Sequence, residues 1–115
     1  YTPAISLIVG LNEILTMLKE ESLEGVFARH RKLAKATRAA VSAMGLSLLA
    51  KTSPSDALTA AVVPEEIDGI VLKKAFLERY GITIAGGQDQ LKGKIIRIAH
   101  LGYFDPVDMF QVIAG

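Results

Sequence analysis

Arg97 is the residue in this sequence best suited to grip an anion. It sits in the middle of Lys94 to His100, "KIIRIAH", a run that reads as a strand. Ile96, Ile98 and His100 fall on one face of it, and Ile95, Arg97 and Ala99 on the other. A guanidinium does not shed its charge to suit a dry site. Arg97 must therefore meet water, a carboxylate of the fold, or the anionic end of a ligand. The last option has clear chemistry: two parallel N–H groups match the two oxygens of a carboxylate, and each charge-assisted bond contributes about 1.5–3 kcal/mol.

Other chemically able residues read more plainly. His30 falls on an apolar helical stripe, where a neutral ring needs one donor and one acceptor nearby, and His100 reads as structural rather than catalytic. No pair of histidines has metal-ligand spacing, there is no phosphate-cradling loop with its lysine, and no nucleophile elbow. Gly86-Gly87 reads as a turn that needs positive φ. The basic run Arg29-His30-Arg31-Lys32 is preceded by Glu20, Glu21 and Glu24. Its far side, Arg31, Lys35 and Arg38, reads as a solvated face rather than a nucleic-acid surface.

These residues need elements to hold them. Thr2-Pro3 reads as a hydroxyl cap and a first-turn proline, opening a helix with Ile5, Ile8, Leu11, Ile14 or Leu15, and Leu18 at helical spacing. Leu7 and Val9 make that helix apolar almost all round, which calls for a second partner surface. Ser22 caps a second helix along Leu23, Val26, Phe27, His30, Leu33, Ala34, Thr37, Val41 and Met44, stopped by Gly45. Short strands follow at Leu46–Ala50 and Leu58–Val63. A third helix, Asp68 to Tyr80, is expected to bury Ile70, Val71, part of Leu72, Phe76 and Leu77. A brief strand at Ile82–Ala85 runs into Gly86-Gly87. After a polar loop from Gln88 to Gly93 comes the strand of Arg97. Asp105-Pro106 opens a last helix, with Val107, Phe110 and Ile113 expected inward. The order α-α-β-β-α-β-β-α argues for an α+β fold: a small antiparallel or mixed sheet of three or four strands with helices on one face.

The bulk composition fits. The chain has 115 residues, half of them hydrophobic, with a formal net charge of +1 and no cysteine. That suits a single domain over 1–115, with no field to recruit nucleic acid or a membrane. It excludes disulfides and thiolate metal sites, and fits a reducing, cytoplasmic setting. The opening run Ala4 to Val9 is too short for a membrane span. A chain that begins at Tyr1 reads as a trimmed or processed piece.

Three stretches, "TPAISLIVGLNEIL", "EGVFARHRKLAKATRAAVSAMGL" and "AGGQDQLKGKIIRIAHLGY", occur in this order and spacing in one family. The sequence resembles the C-terminal part of class V aminotransferases, pyridoxal phosphate enzymes of the serine–pyruvate, alanine–glyoxylate and serine–glyoxylate type. Cyanobacterial sequences of this kind also carry the name soluble hydrogenase small subunit. The resemblance implies the small C-terminal domain of a fold-type-I enzyme, a homodimer that moves an amino group between serine or alanine and glyoxylate or pyruvate. It implies that Arg97 binds the substrate carboxylate, that Thr2 reaches the cofactor phosphate of the partner subunit, and that Gly86 and Gly87 lie in an active-site loop. The first helix would then pack on the large domain or the partner subunit. None of the eight lysines matches the family's catalytic lysine, which lies upstream. A lone chain of this kind is therefore expected to be inactive and to bind no cofactor. The rival reading is a stand-alone structural or protein-interaction module, with Arg97 paired to a carboxylate of its own fold.

Overall fold

The computed structural model describes residues 2–115; Tyr1, the basis for reading the chain as trimmed, lies outside the described residues. The element order is the expected one: α1 (Ile5–Glu21), α2 (Leu23–Ala43), β1 (Ser47–Leu48), β2 (Leu58–Val62), α3 (Gly69–Tyr80), β3 (Ala85–Gly86), β4 (Ile95–Ala99) and α4 (Pro106–Ala114). A single 3-10 turn, Asp89–Leu91, interrupts the loop before β4. The four strands form one sheet in the order β1-β2-β4-β3, and all pairings are antiparallel.

The pleat explains the layers. Thr59, Ala61, Ile96, Ile98 and His100 are buried on one face of the sheet. Leu33 and Val41 of α2, Met109 of α4, and the half-buried Leu72 and Phe76 of α3 pack with that face to form the core. Local signals set most boundaries. Ser22 ends α1 and starts α2 in one residue: it sits at φ 66° and its Oγ accepts from Gly25 N–H at 3.1 Å. Asp68 caps α3, and left-handed Gly81 closes it. Asp105 and Asp108 form a reciprocal capping box at the start of α4, with Pro106 in its first turn.

Two helices depart in part from the expected setting: Leu72, Phe76 and Ile113 are half-buried as expected, but other positions turn outward. On α4, Val107 and Phe110 are 61% and 68% exposed, whereas Met109 is buried and Val112 packs on the core. On α3, Ile70, Val71 and Leu77 face outward, and the inward positions are Gly69, Leu72 and Phe76. Here the cause is tertiary. Gly69 N–H donates to the Gly93 carbonyl at 3.0 Å, and a Cβ on Gly69 would lie 2.6 Å from that oxygen. The close backbone approach turns Gly69, and with it the helix, toward the sheet. On α2 the ends of the expected stripe, Leu23, Phe27 and Met44, are likewise exposed.

α1 stands apart. It has no buried residue, and its packing is against α2. Leu7 and Ile8 are 73% and 60% exposed. The Cα radius of gyration is 16.4 Å, against about 13 Å for a compact chain of roughly this length. The far end of α1 is fastened by Glu21, whose carboxylate takes two hydrogen bonds from Arg29, at 2.6 and 2.8 Å. Segments with few buried contacts open at low free energy. In the 115-residue chain, amide hydrogen exchange should therefore be fast along residues 5–15 and slowest in β2 and β4. Equal protection of α1 and the central strands would contradict this packing.

Candidate functional site

Alternation along β4 puts Arg97 on the sheet face opposite Ile96 and Ile98. Its cross-strand partners are Ala60 on β2 and Ala85 on β3, and Ala99 follows two residues on. Small neighbours leave the half-buried guanidinium open to a cleft of about 550 Å³. Leu58, Phe104, Asp108 and Gln111 also line that cleft. Arg97 Nε donates to the Gly86 carbonyl at 2.8 Å. Among the described residues no carboxylate pairs with this guanidinium. Asp108, although in the same cleft, accepts from the Asp105 N–H at 3.0 Å instead. Of the three environments open to Arg97, a carboxylate of the described fold is therefore not the one it has.

Gly86 and Gly87 are special because of space, not because of a left-handed backbone, since neither has positive φ. A Cβ on Gly87 would collide with the Leu91 carbonyl. A Cβ on Gly86 would lie 3.0 Å from Lys73 Cδ. The expected turn glycines are thus the point where β3 is squeezed between the 3-10 turn and α3.

Thr2 does not cap α1. The N-cap position is Ala4, without a side-chain bond, and Ile5 N–H donates to the Pro3 carbonyl at 2.9 Å. Proline at position 3 lies ahead of the helix rather than in its first turn, so Thr2 remains exposed on an extended lead-in.

Three arginines of α2 find partners within the chain. Arg31 and Arg38 both pair with Asp56, at 3.2 and 3.3 Å. They hold that carboxyl below its ordinary range, Arg31 contributing most. Arg29, besides Glu21, donates to the carbonyls of Gly102 and Phe104 at 2.7 and 3.1 Å. Its hydrogen bond also lowers the pKa of Glu21. His30 Nε2 accepts the Gly102 N–H at 3.1 Å. Arg31 and Lys35 are exposed, as expected of a solvated face, while Arg29 and His30 tie α1, α2 and the loop after β4 together. Their partners were hidden from the sequence by separations of up to 75 residues.

His100 is structural. It is fully buried; Nδ1 donates to the Asp56 carbonyl at 3.1 Å and Nε2 accepts from Thr59 Oγ1 at 2.9 Å. The Asp56 carbonyl can only accept, so Nδ1 carries a proton, and burial favours the neutral ring, with Nε2 as the acceptor. Burial pushes the pKa below the ordinary value of 6.5, the Asp56 carbonyl opposes this, and the charge of Arg38 adds to it.

The wider kinship fits this geometry. No protein-family model matches the chain. A solved ureidoglycine–glyoxylate aminotransferase from Bacillus subtilis superposes with a TM-score of 0.93 at 34% identity, covering 99% of this chain and 30% of that one. The chain is 41% identical over 117 residues to a serine–glyoxylate aminotransferase of Methylorubrum extorquens. It is 38% identical over 115 residues to a protein of Synechococcus named soluble hydrogenase, small subunit. All of this chain is covered in both cases, and it spans about 30% of the length of the curated relatives it matches. The fold is thus an α+β domain with a four-stranded antiparallel sheet, of the kind found in aminotransferases. Within that class, the chain matches the C-terminal portion of class V aminotransferases of the serine–glyoxylate and alanine–glyoxylate group.

The neutral His100 makes stability depend on pH. The folded ring resists protonation, so above pH 6.5 its contribution is fully present; as pH falls through 6.5 and below, the unfolded chain gains a proton that the folded chain refuses. Urea midpoints should drop between pH 7.5 and pH 5.5, and His100→Asn should lower stability at pH 7.5 while flattening that slope. An unchanged slope in the variant would show that His100 is not the titrating group.

Proposed function

We propose that this chain is the carboxylate-gripping small domain of a pyridoxal-phosphate-dependent transaminase. The parent enzyme moves an amino group between a small amino acid, serine or alanine, and glyoxylate or pyruvate. The observation that carries this is Arg97: a permanent charge beside an open cleft, aimed by a backbone carbonyl, with no carboxylate partner among the described residues. With Nε held by Gly86, the two Nη groups form the free edge. A substrate carboxylate is then gripped end-on by parallel bonds.

The chain's fit to the cofactor is partial. Thr2 offers an exposed hydroxyl, and α1 begins just after it, an end with unpaired N–H groups that suits a phosphate. No lysine here is assigned to carry the cofactor; that residue belongs to the large domain. When bound, pyridoxal phosphate supplies the electron sink and the amino carrier. The part played by this chain is to bind and orient: Arg97 fixes the substrate's carboxylate end, and Thr2 touches the phosphate across the subunit boundary of a homodimer. The exposed apolar face of α1 docks on the large domain or on the partner subunit. Cysteine-free composition supports a cytoplasmic setting for the same assembly. The rival reading, a stand-alone module, needs an internal partner for Arg97, and the hydrogenase-named relative does not favour it, since this chain spans only 30% of that protein too.

Two experiments test the proposal. In the full-length protein, Arg97→Lys should raise KM for the amino acid and lower kcat. The loss in kcat/KM should be about tenfold to a hundredfold, the equivalent of one charge-assisted bond of about 1.5–3 kcal/mol; unchanged kinetics would remove Arg97 from the site. The 115-residue chain mixed with pyridoxal phosphate should show no transaminase turnover, and clear turnover would sink the division of labour proposed here.

A further inference from the structure

We infer that Lys73 is a positioning residue for Arg97, acting through the peptide of Gly86; this rests on the reading of Arg97 as the carboxylate clamp. β3 has only two residues and lies at the edge of the sheet, paired to β4 on one side. A two-residue edge strand has little of its own to fix its height or twist. Yet the direction of the guanidinium depends on it, because the Gly86 carbonyl holds Nε at 2.8 Å.

The other flank of Gly86 is closed by Lys73. Its Cδ lies 3.0 Å from the place a Cβ on Gly86 would take, and its Nζ 3.6 Å. The side chain is half-buried, and among the described residues its ammonium pairs with no carboxylate. The nearest atom of Lys73 is Cδ, so it is the methylene stem rather than the charge that borders Gly86. The backbone that carries the stem is pinned four residues earlier. There, the Gly69 N–H on the Gly93 carbonyl leaves no room for even a methyl group. The order of support thus runs from Gly93 to Gly69, along one turn of α3 to Lys73, then to Gly86 and Arg97. A side chain at 86 would have to displace the stem by a few tenths of an ångström, which couples the two positions.

The charge and the stem of Lys73 can be separated. In the full-length protein, Lys73→Ala should raise KM for the amino acid several-fold with a smaller change in kcat, and Lys73→Met, which restores the stem without the charge, should behave like the wild type. Gly86→Ala should raise KM, and Lys73→Ala added to it should suppress much of that defect, since the new methyl then occupies vacated space. Exchange of the Arg97 Nε–H, followed by NMR on arginine-labelled protein, gives a readout independent of turnover: it should speed up in Lys73→Ala and not in Lys73→Met. Nε–H exchange unmoved by Lys73→Ala, or a Gly86→Ala defect of equal size with and without Lys73, would overturn the inference. Failure of the clamp reading is distinguishable, because Arg97→Lys would then leave KM unchanged while the exchange pattern still follows the stem.

Discussion

The hydrogen bond from Arg97 Nε to the Gly86 carbonyl is the contact on which the rest of the site depends. A guanidinium keeps its charge at every accessible pH, so a half-buried one must be held and must be answered. One backbone carbonyl holds it but does not neutralise it. Two N–H-bearing nitrogens remain for water or for an anion. The alanines at 60, 85 and 99 keep side chains out of the way, and the glycines at 86 and 87 leave room for the Lys73 stem and the Leu91 carbonyl beside it.

The other face of the same sheet has the opposite task. It buries Ile96, Ile98 and His100 against α2, α3 and α4, and every buried polar group there finds a partner. Keeping His100 neutral avoids placing a second positive charge near Arg38, whose own charge is already shared with Arg31 across Asp56. One strand therefore carries a dry, neutral side that anchors and, on its other side, a charged group that opens on a cleft. The alternation of side chains along β4 separates the two by the thickness of a single backbone.

Much of this was legible because it is local. Ser22, Gly45, Asp68, Gly81 and the Asp105-Pro106 pair each act within a few residues, and they mark the helix ends correctly. The alternating faces of β4 follow from a period of two. What stayed hidden depends on distant partners. Nothing near Gly69 announces its approach to Gly93, so the rotation of α3 could not be read from its own pattern. The bonds of Arg29 to carbonyls beyond residue 100 are invisible to a helical wheel, as are the ion pairs of Arg31 and Arg38 with Asp56. Thr2 was misplaced for a different reason: a hydroxyl followed by proline is a fair cap signal, but here the helix begins later, at Ile5.

The most direct measurement is a crystal structure of the full-length protein with an unreactive carboxylate analogue of the amino acid bound. Both carboxylate oxygens should lie within hydrogen-bond distance of Arg97 Nη1 and Nη2, with the Nε bond to Gly86 kept. A carboxylate bound elsewhere, with Arg97 paired to an acidic side chain of the remaining protein, would contradict the assignment of Arg97 as the clamp.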